Sequence, residues 1–185
     1  MLESVMRSPH PSYPPGIIEK MRHVRLVVLD VDGTLTDGSL YYSAHGEEMK
    51  RFHVRDGMGI VLLHRAGLQT ALLTSDGSDI ISTRAAKLGI PHVLKGIRNK
   101  SEALQRLCTE LAISLPEVAY IGDDINDVAA MELCGLRACP ADAVAAVKAI
   151  SDVCSAYKGG QGAVREILEG ILLAQNKLIT LPNEF

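Results

Sequence analysis

Apolar residues in this 185-residue chain fall into short unbroken runs separated by longer amphipathic stretches. VRLVVL before Asp30, LQTALLT (68–74), PHVL (91–94), VAYIG (118–122), LRAC (136–139) and DVCS (152–155) read as strands. The most apolar of them suit a parallel sheet buried on both faces. Helical spacing predicts helices over 57–66, 78–88, 100–112, 125–134 and 141–149, and a last one from near Gly162. That alternation predicts an α/β fold, a doubly wound parallel sheet. One segment breaks the rhythm: LYYS and MKRFHV flank His45-Gly46-Glu47 within residues 39–54, which reads as a β-hairpin inserted after the first strand. Residues 1–22 hold Pro9, Pro11, Pro14 and Pro15 and no apolar leader core. They read as an N-terminal extension ending in a short helix, Gly16 to Arg22.

Composition narrows the picture. A hydrophobic fraction of 47% without an apolar run of membrane-spanning length predicts a soluble chain with one core and no membrane partner. A net charge of −3, with no basic run, argues against nucleic acid. Cys108, Cys134, Cys139 and Cys154 form no C-x-x-C pair and read as buried free thiols in a reducing, cytoplasmic setting. The six histidines show no ligand spacing.

The chemistry gathers at strand ends, where ligands bind in open α/β sheets. Asp30 and Asp32 end the first strand ahead of Gly33 and, two residues apart, point the same way. An acidic turn is the plain alternative. A calcium loop is excluded, because its required Gly and Glu positions hold Leu35 and Tyr41. The strand QTALLT ends at Thr74-Ser75-Asp76, where a hydroxyl and backbone N–H groups at the following helix can hold phosphate, a role compatible with capping. Lys100 opens a helix, where the dipole disfavours a cation unless an anion is near. GDDIND supplies Asp123, Asp124 and Asp127, more carboxylates than a helix cap requires. Oxygen ligands of this kind select a hard ion such as Mg²⁺. Together these groups fit a two-step phosphoryl transfer in which Asp30 attacks phosphorus and Asp32 carries the proton. Mg²⁺, Lys100 and Thr74 offset charge on the transferring oxygens.

DVDGTLTDG, the strand ending at Thr74, Lys100 and GDDIND, in this order, resemble the four motifs of the haloacid dehalogenase-like phosphatase superfamily across residues 24 to about 170. The resemblance implies a Rossmannoid sheet and a Mg²⁺ site made by Asp30, Asp123 and the backbone carbonyl of Asp32, supported by Asp124 and Asp127. About twenty residues separate Asp32 from FHVRDGMGI, too few for a cap domain, and the Thr74–Lys100 interval is equally short. The chain is similar to the capless subgroup that includes 3-deoxy-D-manno-octulosonate 8-phosphate (KDO-8-phosphate) phosphatases, through VRDGMG (54–59), RAAKLGI (84–90) and GGQGAVRE (159–166). That subgroup implies a sugar acid phosphate substrate, contacts from Arg55, Asp56, Gly57, Ser75, Asp76, Arg84 and Lys87, and a homotetramer. In such a tetramer residues 39–54 and 159–166 would close neighbouring sites. Residues 23–175 then form the phosphatase domain and 176–185 a C-terminal tail. Thr74-Ser75-Asp76 departs from the subgroup's usual Thr-Gly-Arg, and with Lys87 it looks like phosphatases of nine-carbon sugar acid 9-phosphates. A noncatalytic assembly module of the same fold, and a phosphomutase, are further alternatives.

Overall fold

The computed structural model describes residues 13–177. Residues 1–12 and most of the expected tail, 178–185, lie outside the described residues. Helix α1 (Pro15–Arg22) leads into β1 (Leu26–Leu29), the hairpin β2 (Tyr41–Ser43) and β3 (Gly46–Met49), then α2 (Val54–Arg65) and β4 (Gln69–Leu73). There follow α3 (Asp79–Leu88), β5 (His92–Leu94), α4 (Lys100–Leu111), β6 (Val118–Ile121), α5 (Ile125–Met131), β7 (Leu136–Cys139), α6 (Ala145–Ile150), β8 (Val153–Cys154) and α7 (Ala163–Ala174).

The six main strands form one parallel sheet in the order β5-β4-β1-β6-β7-β8. β1 is internal, and its four residues are fully buried. Alternation splits them between two cores. Val27 and Leu29 pack with Met21, Leu63, Ile81 and Ile167, on the face covered by α1, α2, α3 and α7. Leu26 and Val28 pack with Leu104, Leu107, Met131 and Val147, on the face of α4, α5 and α6. Carried two residues further, the even-numbered side brings Asp30 toward α4 and α5. Its partners come from those helices.

Several predicted boundaries move. α2 starts at Val54 rather than Gly57: its first two residues, Val54 and Arg55, are exposed and give no buried-face periodicity, and the buried face begins at Asp56. The second hairpin strand is Gly46–Met49, not MKRFHV. Lys50 turns inward to three carboxylates, and pairing resumes only at the Thr36–Phe52 bridge. α6 starts at Ala145 rather than 141, because the residues before it are tied down: the Ala141 and Val144 N–H groups donate to the Tyr157 and Asp123 carbonyls at 2.8 and 2.9 Å. α1 is more than a surface appendage, since Met21 is fully buried against the core that includes α7. Of the four cysteines, three are buried, and Cys154 is exposed at the sheet edge. No described helix is long and apolar enough to cross a membrane.

Candidate active site

β1, β4 and β6 end side by side, and the loops that follow bring Asp30, Thr74 and Asp123 to one edge. Asp30 is 4% exposed, and Lys100 Nζ donates to its Oδ1 and to Oδ1 of Asp127, both at 2.6 Å. Lys100 is the first residue of α4, with Asn99 as its cap. The two carboxylates resolve its unfavourable place at the positive helix end. Burial disfavours its charge, but Asp30 and Asp127 more than compensate and raise its pKa.

Asp127 is fully used. Its Oδ1 also accepts from the buried Tyr120 hydroxyl at 2.8 Å, and its Oδ2 accepts from the Asp123 and Asp124 N–H groups at 3.1 and 3.4 Å. It therefore orients Lys100 and the start of α5 together. Asp124 is drawn elsewhere: exposed, it caps α5 by accepting from Ile125 N at 2.7 Å.

Carboxylate oxygens of Asp30, Asp123 and Asp127 lie within 4.8 Å of one another, with one ammonium among them. Burial, then Asp127, pushes Asp123 up to about 6, and burial and Asp127 lift Asp30 well above its ordinary value despite Lys100. This surplus negative charge, in an all-oxygen donor set, fits a hard divalent cation. Gly33 closes the loop over the cluster: at φ 83°, a Cβ there would lie 2.0 Å from Asp123 Oδ2. Thr34 Oγ1 donates to Asp123 Oδ1 at 3.3 Å.

Asp32 stands at the mouth, held by Lys50 Nζ at 2.7 Å. The Thr74 hydroxyl is buried and accepts from Asp76 N at 3.2 Å. α3 begins only at Asp79, so the N–H groups beside Thr74 belong to a loop and not, as predicted, to a helix end. Ser75 Oγ donates to the Ile97 carbonyl at 2.9 Å, and Asp76 pairs with Lys50 at 2.8 Å.

The remaining predicted substrate residues divide. Lys87 and Arg84, with Lys50, Phe52 and Thr83, line a groove of about 440 Å³. Arg84 lies over the Phe52 ring, and its buried Nε meets no acceptor among the described residues. Gly57 leaves room for that guanidinium, since a Cβ would lie 2.5 Å from its Nη2. Arg55 is exposed. Asp56 is 1% exposed and turned inward, accepting from Gly162 N at 3.2 Å and Arg165 N at 2.8 Å. It ties α2 to the start of α7 instead of facing the groove. In the GGQG segment Gly160 N donates to the Thr34 carbonyl at 3.0 Å, and Gly159, Gly160 and Gly162 are buried while Gln161 is exposed. Sequence reasoning missed Lys50, which sits beside no motif and follows an exposed hairpin.

Residues 70–167 match the haloacid dehalogenase-like hydrolase family. The chain belongs to the haloacid dehalogenase-like hydrolases. Within these hydrolases it is 42% identical to the KDO-8-phosphate phosphatase of Salmonella typhimurium, over 89% of this chain and 87% of that one. Among solved structures, the enzyme of that name from Moraxella catarrhalis, in complex with magnesium, phosphate and KDO, superposes with a TM-score of 0.84. It is 40% identical, over 86% of this chain and 92% of that one. The cobalt-bound deoxy-D-mannose-octulosonate 8-phosphate phosphatase of Haemophilus influenzae gives 0.83 at 42% identity, over 85% and 92%.

Proposed function

We propose that this hydrolase is a Mg²⁺-dependent phosphatase of a sugar acid phosphate, with KDO-8-phosphate as its substrate. The observation that carries this is the buried Lys100 ammonium shared by Asp30 and Asp127 beside Asp123. It fixes Oδ1 of a carboxylate at a strand end, which leaves Oδ2 as the attacking atom. Asp30, Asp123 and the Asp32 carbonyl would hold Mg²⁺, with Asp127 in support, and the ion supplies positive charge that lets two anions, carboxylate and phosphate, approach.

Asp30 Oδ2 attacks phosphorus and the P–O bond to the sugar breaks, forming an aspartyl-phosphate on Asp30. Asp32 gives a proton to the departing alcohol oxygen, then takes one from the water that releases phosphate. Lys100 balances the charge that Asp30 loses and regains. Thr74 already accepts from Asp76 N, which leaves its O–H to donate to a phosphoryl oxygen.

The groove beside Asp32 suits the sugar acid. Arg84, with an unmet N–H, and Lys87 offer charge for a carboxylate. Similarity to KDO-8-phosphate phosphatases supports the eight-carbon substrate. Lys87 in the groove, and Asp76 paired with the groove residue Lys50, favour, as a second reading, a nine-carbon ulosonate 9-phosphate. A noncatalytic module is disfavoured by the assembled Asp30–Lys100–Asp127 cluster. Phosphate release from KDO-8-phosphate, KDN-9-phosphate and N-acetylneuraminate-9-phosphate tests the choice. A kcat/KM for KDO-8-phosphate at least tenfold above the others is expected, and the reverse order selects the nine-carbon reading.

The hairpin leaves Tyr42 69% and Met49 59% exposed, with Leu40 and Tyr41 beside them. A contiguous apolar projection of this kind marks an interface, and we assign it to other copies of the chain in a homotetramer in which it lids a neighbouring site. Sedimentation at assay concentration tests this, and a fully active monomer overturns it. Free thiols fit a cytoplasmic enzyme.

A further inference from the structure

Lys50 lies outside every motif that pointed to the site, yet its side chain is 1% exposed. Its ammonium ion-pairs with Asp32 at 2.7 Å, and with Glu47 and Asp76 at 2.8 Å each. An ammonium carries three donors and no acceptor. Three carboxylates surround the nitrogen, and Asp32 Oδ1 accepts a hydrogen bond from it while Glu47 and Asp76 attract it as ion pairs. The partners come from the loop after β1, the hairpin and the loop after β4. Asp32 has little else to hold it. The Thr36 hydroxyl reaches its Oδ1 only at 3.5 Å, and among the described residues none donates to its Oδ2.

We propose that Lys50 is the positioning residue for proton transfer: it fixes Asp32 Oδ1, so that Oδ2 faces the leaving oxygen, while Glu47 and Asp76 keep the ammonium in place. This rests on the reading of Asp32 as proton carrier. In the first half-reaction the phosphorus–oxygen bond to the alcohol breaks as the Asp30–phosphorus bond forms. The bonding pair goes to the alcohol oxygen, which takes the proton from Asp32 Oδ2. In the second, Oδ2 receives a proton from the attacking water, the Asp30–phosphorus bond breaks, and inorganic phosphate leaves. The same geometry makes the hairpin part of the catalytic frame, because Glu47 lies on β3. A lysine that merely pinned the hairpin would serve every substrate alike. One that aims a proton matters most where the leaving group needs that proton.

The test measures kcat/KM with Mg²⁺ on a series of aryl phosphates from p-nitrophenyl to phenyl, for wild type, Lys50→Met and Lys50→Arg. This parameter covers steps only through the first phosphoryl transfer, so water attack does not enter. Lys50→Met is expected to fall about 5-fold on p-nitrophenyl phosphate and about 100-fold on phenyl phosphate, within the range of general acid catalysis. Lys50→Arg should recover most of the phenyl phosphate loss. Should Lys50→Met not fold, Glu47→Gln is expected to show the same asymmetry at about 5-fold on phenyl phosphate, within what loosening a general acid costs. Equal losses across the series, or none, overturn the proposal while leaving the phosphatase reading intact. With a wild type inert on the whole series the same variants are compared on KDO-8-phosphate, whose alkoxide leaving group needs the proton most: an undiminished Lys50→Met overturns the proposal, and a wild type inert there too overturns the phosphatase reading.

Discussion

Lys100 and Lys50 are both removed from water and both bound to carboxylates, but they belong to different parts of the molecule. Lys100 sits where the parallel sheet meets α4, between Asp30 and Asp127, whose side chains are 6% and 0% exposed. Lys50 ends an exposed hairpin, and two of its partners, Asp32 and Asp76, are 30% exposed. Lys100 is thus part of the rigid edge, where breaking a pair strands a buried charge. Lys50 is a bridge between two loops and the hairpin, with two of its three partners open to water. A site can therefore place its charge-bearing groups on the sheet and delegate the aiming of its proton to an insertion.

The largest expected effect sharpens the Lys100 side. Asp30→Asn should lower turnover by at least about 10⁴-fold, as loss of a nucleophile does, with the circular dichroism spectrum retained. Unchanged turnover would remove Asp30 as nucleophile. Lys100→Met is expected to cost about 3–5 kcal/mol of stability, because it leaves Asp30 and Asp127 buried and unpaired, and to cut kcat by about 10²–10³-fold. Lys50→Met should destabilise less, by about 1–2 kcal/mol, since Asp32 and Asp76 can turn to water. Urea denaturation of the two variants side by side checks the ranking, and an inverted order would break the comparison. Magnesium should stabilise the wild type by about 2.7 kcal/mol at a hundredfold excess over its dissociation constant. The Asp123→Asn variant should show a much smaller gain in melting temperature.

The two clusters should also respond to pH in opposite directions. Asp123 is raised from 3.8 to about 6 by burial and then Asp127. Its contribution to stability is present below 3.8 and is lost as pH rises through about 6 in the metal-free protein. For Asp76 burial acts upward, but the Lys50 contact prevails and lowers the pKa below 3.8. Its contribution is present above 3.8 and is lost as pH falls below that value. Melting temperature against pH should lose its upper slope in Asp123→Asn and part of its lower slope in Asp76→Asn. Identical profiles in wild type and both variants would show that the clusters do not differ in this way.

The comparison also marks how far the sequence carries. The strand VRLVVL, its acidic pair, the helix-opening Lys100 and the GDDIND cluster were legible because each is a local pattern with a local cause: an apolar run, a turn or a misplaced charge. The parallel sheet puts such strand ends together without further information. Lys50 was illegible because its three partners lie in three segments and its neighbours in sequence are exposed. Asp56 was anticipated at the substrate, but its carboxylate is drawn to two N–H groups at the start of α7, a hundred residues on, which no local pattern announces. Asp124 shows a milder form, since cap and metal support call for the same residue, and the contact seen is the cap, from Ile125 N.

Gly159 adds a consequence for the order in which the enzyme is made. A Cβ there would stand 1.8 Å from the Gly33 carbonyl oxygen, so the loop that carries the acidic pair is seated directly on the chain's last quarter. Every side chain of the central cluster has been synthesised by Asp127, yet the seat for that loop arrives more than thirty residues later. A ribosome-bound chain stopped before Gly159 holds all of the chemistry but lacks the seat for the loop that carries Asp32. Contacts of such long sequence separation form late, so activity in a translation-arrest series should appear only after α7 has cleared the exit tunnel.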